Sequence, residues 1–312
     1  MLATAAVPLA GAHAQTWPSK PIRLVVSGPA GGIIDIGGRA IVDPLSKALG
    51  QPVLIDLRPG GNGLIAAQIV IDGPADGHSL LLTVSEVVSF QYMVKVSFDV
   101  IRDLTPVASI GEGSAVICVA KSLPVSTLQE LVDHAQRHPG KINYLNPANG
   151  TRQHLVVEQI KSRFGVDMTS IPYRGLPPGL VDLLAERIEL GIISTSIVLP
   201  YIMTGAVKPI AALGSTRIVK LPSLPTMTEQ GFGEMEIASV LTIFAPRRVQ
   251  SSIVERLNTS VTTAVETPDA RARLAAGDIE PITMKSDRLA AWLLAERDRL
   301  HGLITRLGLT SS

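Results

Sequence analysis

The sequence predicts an α/β protein of two lobes, each a mostly parallel sheet flanked by helices. Short runs rich in β-branched residues alternate with helical stretches, which is the pattern of parallel sheets covered by helices. The alternation falls into two series, which fits two lobes better than one large sheet. The length of 312 residues suggests about two domains, and a hydrophobic fraction of 46% is ample for their cores.

The first series predicts strands at residues 22–26, 52–57 and 79–84, with helices at 34–49 and 64–71. The second series lies between residues 116 and 213, and its first helix begins at Ser126 with Gln129 in the capping-box position. Its strands are predicted at 116–120, 142–145, 168–171, 188–193 and 207–213, and its helices at 126–136, 151–164 and 177–186.

The end of the chain predicts a different arrangement. We expect strands at 237–244 and 279–282 and helices at 250–265, 268–276 and 286–307. The last helix carries Leu289, Leu293 and Leu300 on a helical rhythm. A closing helix of this length is expected to pack back onto the first lobe.

Composition excludes several classes of function. Lys and Arg total 28 against 27 Asp and Glu, so the formal net charge is +1 and a nucleic-acid partner is disfavoured. Aromatic residues make up 4%, too few for a base-stacking or sugar-stacking surface. Cys118 is the one cysteine, which rules out an internal disulfide and a cysteine-based zinc site.

Two uncharged stretches are long enough to raise the question of a membrane span. Residues 1–14 form an apolar run that ends in Ala12-His13-Ala14, the small-x-small pattern of a signal-peptidase site. No basic residue precedes that run, so we expect either a signal peptide with a truncated start or a disordered apolar N-terminus. Residues 190–207 contain Pro200, which would interrupt a single helix, and are expected to form a strand and a short helix.

Three glycine-rich loops come between a strand and a helix, where α/β proteins bind ligands. The first, residues 27–35, suits an anion because glycine lets backbone N–H groups converge at a helix N-terminus. A plain turn is the alternative, and the spacing matches no nucleotide-binding motif. The second contains Arg58, which faces a carboxylate or braces its own loop. The third, residues 146–154, offers Thr151 at a helix start and His154 one turn later, where histidine is more often a structural hydrogen bonder.

Catalytic and metal sites have little support. Ser85, Ser194 and Ser239 lack the frame of a serine nucleophile, and Cys118 sits in an apolar strand typical of an inert thiol. His134 and His138 fit a solvated helix face better than a metal site. We therefore expect no enzyme activity, no cofactor and no metal.

The three loops and a set of collinear landmarks resemble the substrate-binding receptors of tripartite tricarboxylate transporters, the Bug family. The resemblance covers essentially the whole chain from Trp17. Its landmarks are Trp17-Pro18-Ser19-Lys20-Pro21-Ile22-Arg23, Pro29-Ala30-Gly31-Gly32 with Asp35, Arg58-Pro59-Gly60, Pro74-Ala75-Asp76-Gly77-His78, Leu104-Thr105-Pro106-Val107, Pro139-Gly140-Lys141-Ile142-Asn143-Tyr144, Asn149-Gly150-Thr151 with His154-Leu155, Pro172-Tyr173-Arg174-Gly175, and Phe244-Ala245-Pro246.

This resemblance implies a periplasmic-binding-protein fold of type II. Lobe one would combine residues 15–117 and 238–312, and lobe two would hold residues 118–237. The family implies a monomeric receptor in the periplasm of a Gram-negative bacterium, which binds a small carboxylate in the inter-lobe cleft and delivers it to a membrane permease. A periplasmic sensor that feeds a membrane kinase is an open alternative, because it would use the same fold.

The resemblance also implies a set of ligand-binding residues from the loops of both lobes. They are Gly31, Gly32, Ile33, Ile34, Ser85, Glu86, Gly150, Thr151, His154, Tyr173, Arg174 and Ser194.

Several positions in this set depart from the family pattern. Ile33 and Ile34 follow the glycine pair where a hydroxyl residue is frequent, and Ser27-Gly28 stands for the usual Pro-Phe. Glu86 appears where the family has an Asn-Pro landmark; facing the cleft, it would repel a second carboxylate and favour an amine. These changes indicate a divergent ligand, which leaves open a non-carboxylate ligand or impaired binding.

Overall fold

The computed structural model describes residues 17–310, so the predicted signal peptide at 1–14 lies outside the described residues. The strands of this part are β1 (Ile22–Val26), β2 (Val53–Leu57), β3 (Ser79–Val84), β4 (Leu104–Gly113), β5 (Ala115–Val119), β6 (Ile142–Asn146), β7 (Met168–Pro172), β8 (Leu190–Ser194), β9 (Lys208–Leu213), β10 (Val240–Pro246) and β11 (Ile279–Glu280). Its helices are α1 (Ile33–Leu49), α2 (Leu64–Ile71), α3 (Val87–Phe90), α4 (Val100–Asp103), α5 (Leu128–Arg137), α6 (Arg152–Phe164), α7 (Leu176–Leu184), α8 (Thr195–Met203), α9 (Ser251–Glu266), α10 (Pro268–Ala276) and α11 (Ser286–Arg306).

The strands form two sheets, which confirms the predicted α/β class with two lobes. The sheet of lobe one has the order β11-β4-β10-β3-β1-β2, and the sheet of lobe two has the order β7-β6-β8-β5-β9. Strand β5 begins at Ala115, so the predicted boundary at residue 117 falls within it. Residues 113–114 and 236–239, which carry the chain between the lobes, are called the hinge below.

Both sheets are mixed, where the sequence predicts mostly parallel ones. β1 pairs in parallel with β2 and β3, whereas β10 runs antiparallel to β3 and β4. In lobe two β6 is parallel to β7 and β8, and β5 is antiparallel to β8 and β9. β5 and β10 each begin at the hinge, whereas the strands beside them end near it. They therefore run antiparallel to those neighbours.

Strand β4 is missing from the sequence prediction. Its segment contains Pro106 and the glycines Gly111 and Gly113, which weaken a strand pattern. β10 nevertheless pairs with it over the whole length from Val240 to Pro246. Tertiary pairing with the returning chain therefore overrides the local sequence.

The C-terminal helix α11 contacts both lobes, where the sequence predicts packing on lobe one. Leu289 and Leu293 lie in a core cluster with residues of lobe one. Leu300, Leu303 and Ile304 lie in the main core of lobe two. A helix of 21 residues is about 30 Å long and can therefore cross from one lobe to the other.

Two local predictions were close to the observed structure. The uncharged stretch at 190–207 forms β8 and α8, a strand and a short helix as predicted. Helix α5 is capped one residue later than predicted, by Thr127, whose hydroxyl accepts from the Glu130 backbone N–H. Within residues 17–310 no helix is long and apolar enough to cross a membrane.

Candidate functional site

The loop between β1 and α1 places free backbone N–H groups at the edge of the cleft. Gly31 donates its N–H to Asp35 Oδ2 at 2.9 Å, and Gly32 donates to Pro29 O at 3.1 Å. The backbone N–H groups of Ile33 and Ile34 have no acceptor among the described residues. The first turn of a helix carries partial positive charge, so these two N–H groups can hold an anion while the two glycines shape the turn.

The second loop joins the lobes instead of presenting a charge. Arg58 donates to Asp56 Oδ1 at 3.0 Å, which braces its own loop. Asn62, at φ 52°, donates through Nδ2 to the backbone oxygen of Asn149 in the other lobe, at 3.0 Å. The cleft is therefore bridged by a hydrogen bond in this conformation.

The predicted donors of the third loop are used within the loop. The Thr151 hydroxyl donates to Ala148 O at 2.8 Å, and the Gly150 N–H donates to His154 Nδ1 at 3.3 Å. Nδ1 accepts a hydrogen bond only in a neutral ring, and burial lowers the pKa of His154, which keeps it neutral. His154 thus braces the loop, the structural alternative considered for it from the sequence.

Arg152, the first residue of α6, is the cation that the sequence prediction missed. Its side chain is 4% exposed, and Nη2 donates to the hinge carbonyl of Gly113 at 2.7 Å. Within residues 17–310 its guanidinium makes that one hydrogen bond and no ion pair closer than 4.0 Å. An arginine has five N–H donors, so most of this buried group is available to a ligand.

A sequence signal for Arg152 does exist. Its position follows the cap residue Thr151 directly, so it lies at the positive end of the helix dipole. A cation there is electrostatically unfavourable and calls for a compensating role. Burial lowers the pKa of Arg152, and the carboxylates of Glu86, Glu112 and Glu236 act against that shift.

Glu86, in the loop after β3, is held by the hinge. Its side chain is 3% exposed, and Oε2 accepts from the Ser239 hydroxyl at 3.1 Å. The Ser85 hydroxyl also lies 3.3 Å from Oε2, and it accepts the Val240 N–H at 3.1 Å. Burial raises the pKa of Glu86, and the charge of Arg152 acts in the opposite direction.

The N-termini of α1 and α6 both lie next to Gly113 in the hinge. A Cβ atom at this glycine would lie 2.0 Å from Ile33 Cδ1 and 3.9 Å from Arg152 Nη2. The first residue of α1 and the first residue of α6 therefore meet over one hinge residue. Gly150 lies similarly close to the other lobe, because a Cβ there would lie 2.2 Å from Met93 Sδ.

Three predicted residues make no hydrogen bond to Arg152 or Glu86 among residues 17–310. The Tyr173 hydroxyl donates to Asp182 Oδ2 at 2.8 Å in its own lobe, and burial raises the pKa of Tyr173 to about 12. Arg174 is exposed. Ser194 is buried where β8 pairs with Ala115, beside the hinge.

A second cavity, of about 400 Å³, lies between the edge strands β9 and β11, and the hinge residues Gly113, Ser114 and Glu236 form part of its lining. Glu112, Glu236 and Asp278 contribute carboxylates to its lining, and Lys220 pairs with Asp278 at 2.9 Å. None of the predicted site residues lines this cavity. We therefore place the candidate site at the Arg152 cluster, where buried charge has open hydrogen-bonding capacity.

Arg152 and the N-terminus of α1 give this cluster hydrogen-bond donors that suit an anion. In the part of the chain that the structure describes, no group of three His, Cys, Asp or Glu residues could hold a metal ion. Burial raises the pKa of the Cys118 thiol, so this cysteine is unreactive. Two lobes that enclose a buried cation and free helix N–H groups are the architecture of a periplasmic binding protein.

Comparison with known proteins identifies the family. A family model described as the tripartite tricarboxylate transporter family receptor matches residues 38–309, and the chain belongs to this family. Protein BugT of Bordetella pertussis is 30% identical over 98% of this chain and 95% of its own length. The family is one of solute receptors, not of enzymes.

Two solved structures share the fold. Rpa4515 of R. palustris, solved with adipate, is 31% identical with a TM-score of 0.84, covering 94% of this chain and 99% of that one. MatC (Rpa3494) from Rhodopseudomonas palustris, solved with bound malate, is 25% identical with a TM-score of 0.79, covering 92% of this chain and 100% of that one.

Proposed function

We propose that this protein is a periplasmic receptor that binds a small carboxylate between its lobes. The observation that carries the proposal is Arg152, buried in the cleft with one hydrogen bond of its own. A buried charge without a full set of partners is costly, and a carboxylate would supply the missing acceptors in the two-pronged geometry that arginine favours.

The surroundings of Arg152 add backbone hydrogen-bond donors for an anionic ligand, so the protein needs no excess of basic residues to bind one. The N–H groups of Ile33 and Ile34 lie at the start of α1, whose first residue meets Arg152 over Gly113. Donors on both lobes would contact one carboxylate, so binding would favour the closed arrangement. The adipate and malate complexes of two relatives are consistent with this ligand class.

The receptor would act as a monomer in the periplasm and deliver its ligand to the membrane permease of a tripartite tricarboxylate transporter. Family membership supports the transport role, and the predicted signal peptide supports export. The net charge of +1 gives no support to a nucleic-acid partner. Ligand uptake by vesicles that carry the permease, with and without the receptor, would test delivery.

The ligand class is tested on the exported protein in two measurements. Mass spectrometry after gentle denaturation identifies any molecule that co-purifies with the protein. Thermal unfolding against a panel of mono-, di- and tricarboxylates, amino acids and neutral sugars then ranks ligands, and a ligand at 100 times its Kd adds about 2.7 kcal/mol of stability. We expect carboxylates to raise the Tm; a shift with sugars alone would contradict the proposal.

A further inference from the structure

Glu86 places a second buried ionisable group on the hinge that Arg152 contacts. Arg152 comes from lobe two and Glu86 from the loop after β3 in lobe one. Glu86 Oε2 accepts from the Ser239 hydroxyl, the Ser239 backbone oxygen accepts the Gly113 N–H at 3.2 Å, and Gly113 O accepts from Arg152, so both side chains meet the same part of the hinge. No nitrogen–oxygen pair of the two side chains comes within 4.0 Å. The hinge thus carries a guanidinium and a carboxyl group that make no direct ion pair.

The carboxylate of Glu86 has acceptor capacity left. Its hydrogen bonds from the side chains of Ser85 and Ser239 both go to Oε2, and Oε1 accepts none from another residue among 17–310. The Ser85 hydroxyl also lies 3.3 Å from the oxygen of Ala238, so its single proton is shared between two acceptors. A carboxyl oxygen that no other residue supplies with a donor is well suited to a charged donor from a ligand.

Three kinds of small carboxylate would meet these two groups differently. A dicarboxylate that uses Arg152 would bring its second negative charge towards Glu86, which is unfavourable in a buried site. A simple monocarboxylate would leave Glu86 without a partner. A ligand with a carboxylate and an ammonium group would satisfy both charges, the first on Arg152 and the second on Glu86.

We propose that Glu86 is a specificity residue that selects amino-carboxylates, with the ligand's carboxylate on Arg152 and its ammonium group on Glu86 Oε1. This inference rests on the proposed function, because it requires a carboxylate in the inter-lobe cleft. It adds that this receptor discriminates against dicarboxylates such as those bound by its solved relatives.

The test uses ligands that differ in one substituent. Propanoate, lactate, alanine and methylmalonate carry hydrogen, hydroxyl, ammonium and carboxylate at the same carbon. Butanoate, 4-hydroxybutanoate, 4-aminobutanoate and glutarate do the same at the end of a chain. Isothermal titration at pH 7.5 measures each Kd for the wild type, Glu86→Gln and Glu112→Gln. Glu112→Gln is the matched control, because it removes another carboxylate whose charge acts on Arg152 but which lines the cavity between β9 and β11.

We expect the ammonium member of at least one set to bind the wild type at least tenfold tighter than its carboxylate member. Glu86→Gln should reduce that ratio to about one, and Glu112→Gln should preserve it. The order of the wild-type affinities is informative even if Glu86→Gln folds poorly.

A wild type that binds the carboxylate or hydroxyl members as tightly as the ammonium members overturns the inference. So does a ratio that changes equally in Glu86→Gln and Glu112→Gln. If none of the eight ligands binds, the inference fails alone when the wider panel contains a carboxylate ligand, and it fails together with the proposed function when that panel contains none.

Discussion

Arg152 Nη2 lies 2.7 Å from the backbone oxygen of Gly113 and so joins the first turn of α6 to the hinge. One lobe thereby contributes its buried cation to the segment about which the lobes would move. The same hinge residue contacts the side chain of Ile33 from the other lobe. A ligand that binds Arg152 would therefore also act on the conformation of the hinge.

Arg152→Gln is expected to weaken carboxylate binding roughly ten- to hundredfold, because a hydrogen bond to a charged group contributes about 1.5–3 kcal/mol. Arg152→Lys keeps the charge but loses the two-pronged geometry, so we expect an intermediate loss. Isothermal titration with the best carboxylate of the panel measures both. Arg163→Gln, on the exposed end of the same helix, is the matched control. Equal affinity for Arg152→Gln and wild type would remove Arg152 from the site.

Gly113→Ala is expected to lower carboxylate affinity by about tenfold. The new Cβ atom would lie 2.0 Å from Ile33 Cδ1, so the end of the isoleucine must shift beside the free N–H of its own residue, and overpacking of this kind costs about 1–3 kcal/mol. Ile33→Val removes that one methyl group, and the double variant should regain most of the affinity. A double variant as weak as Gly113→Ala would show that the contact with Ile33 is not the cause.

The sequence predicts the first loop better than the third, for a physical reason. Free N–H groups at Ile33 and Ile34 follow from glycine spacing and from the start of a helix, which are both local features. The role of Arg152 depends on Gly113, which is 39 residues away in the chain. Thr151 and Gly150 carry the predicted hydrogen-bond donors, but these donors bind Ala148 O and His154 Nδ1 within the loop.

The same distinction explains the fold. The alternation of strands and helices predicts both sheets, because the hydrophobic pattern of each segment is enough to identify it as a strand or a helix. Strand β4 depends on pairing with β10, and the reach of α11 into lobe two depends on where that lobe lies. Contacts between distant segments are therefore the part that one sequence does not reveal.

Asn62→Gly is expected to weaken ligand binding about two- to tenfold by removing the bridge to Asn149 O. Glycine accepts the left-handed φ of 52° without strain, so the change removes the donor and leaves the backbone conformation. A neutral hydrogen bond contributes about 0.5–1.5 kcal/mol, and we expect most of the loss in the dissociation rate. Surface plasmon resonance measures the rates, and Asn62→Asp, which lacks the donor, should behave alike. If Asn62→Asp binds like the wild type, the bridge does not stabilise the closed arrangement.

His154 is expected to make the protein less stable in mild acid. An unfolded histidine has a pKa near 6.5, and burial lowers the pKa of His154 in the folded protein. The folded state then binds the proton less readily, so stability is retained above about pH 6.5 and falls as the pH drops below it.

His154→Asn keeps an acceptor for the Gly150 N–H without a titrating ring. Its free energy of unfolding in urea should therefore fall less between pH 7.5 and 5.5 than that of the wild type. His301→Asn, on the exposed side of α11, is the matched control and should lose as much as the wild type. An equal loss in His154→Asn and wild type would contradict the prediction, since the acid sensitivity would then come from other groups.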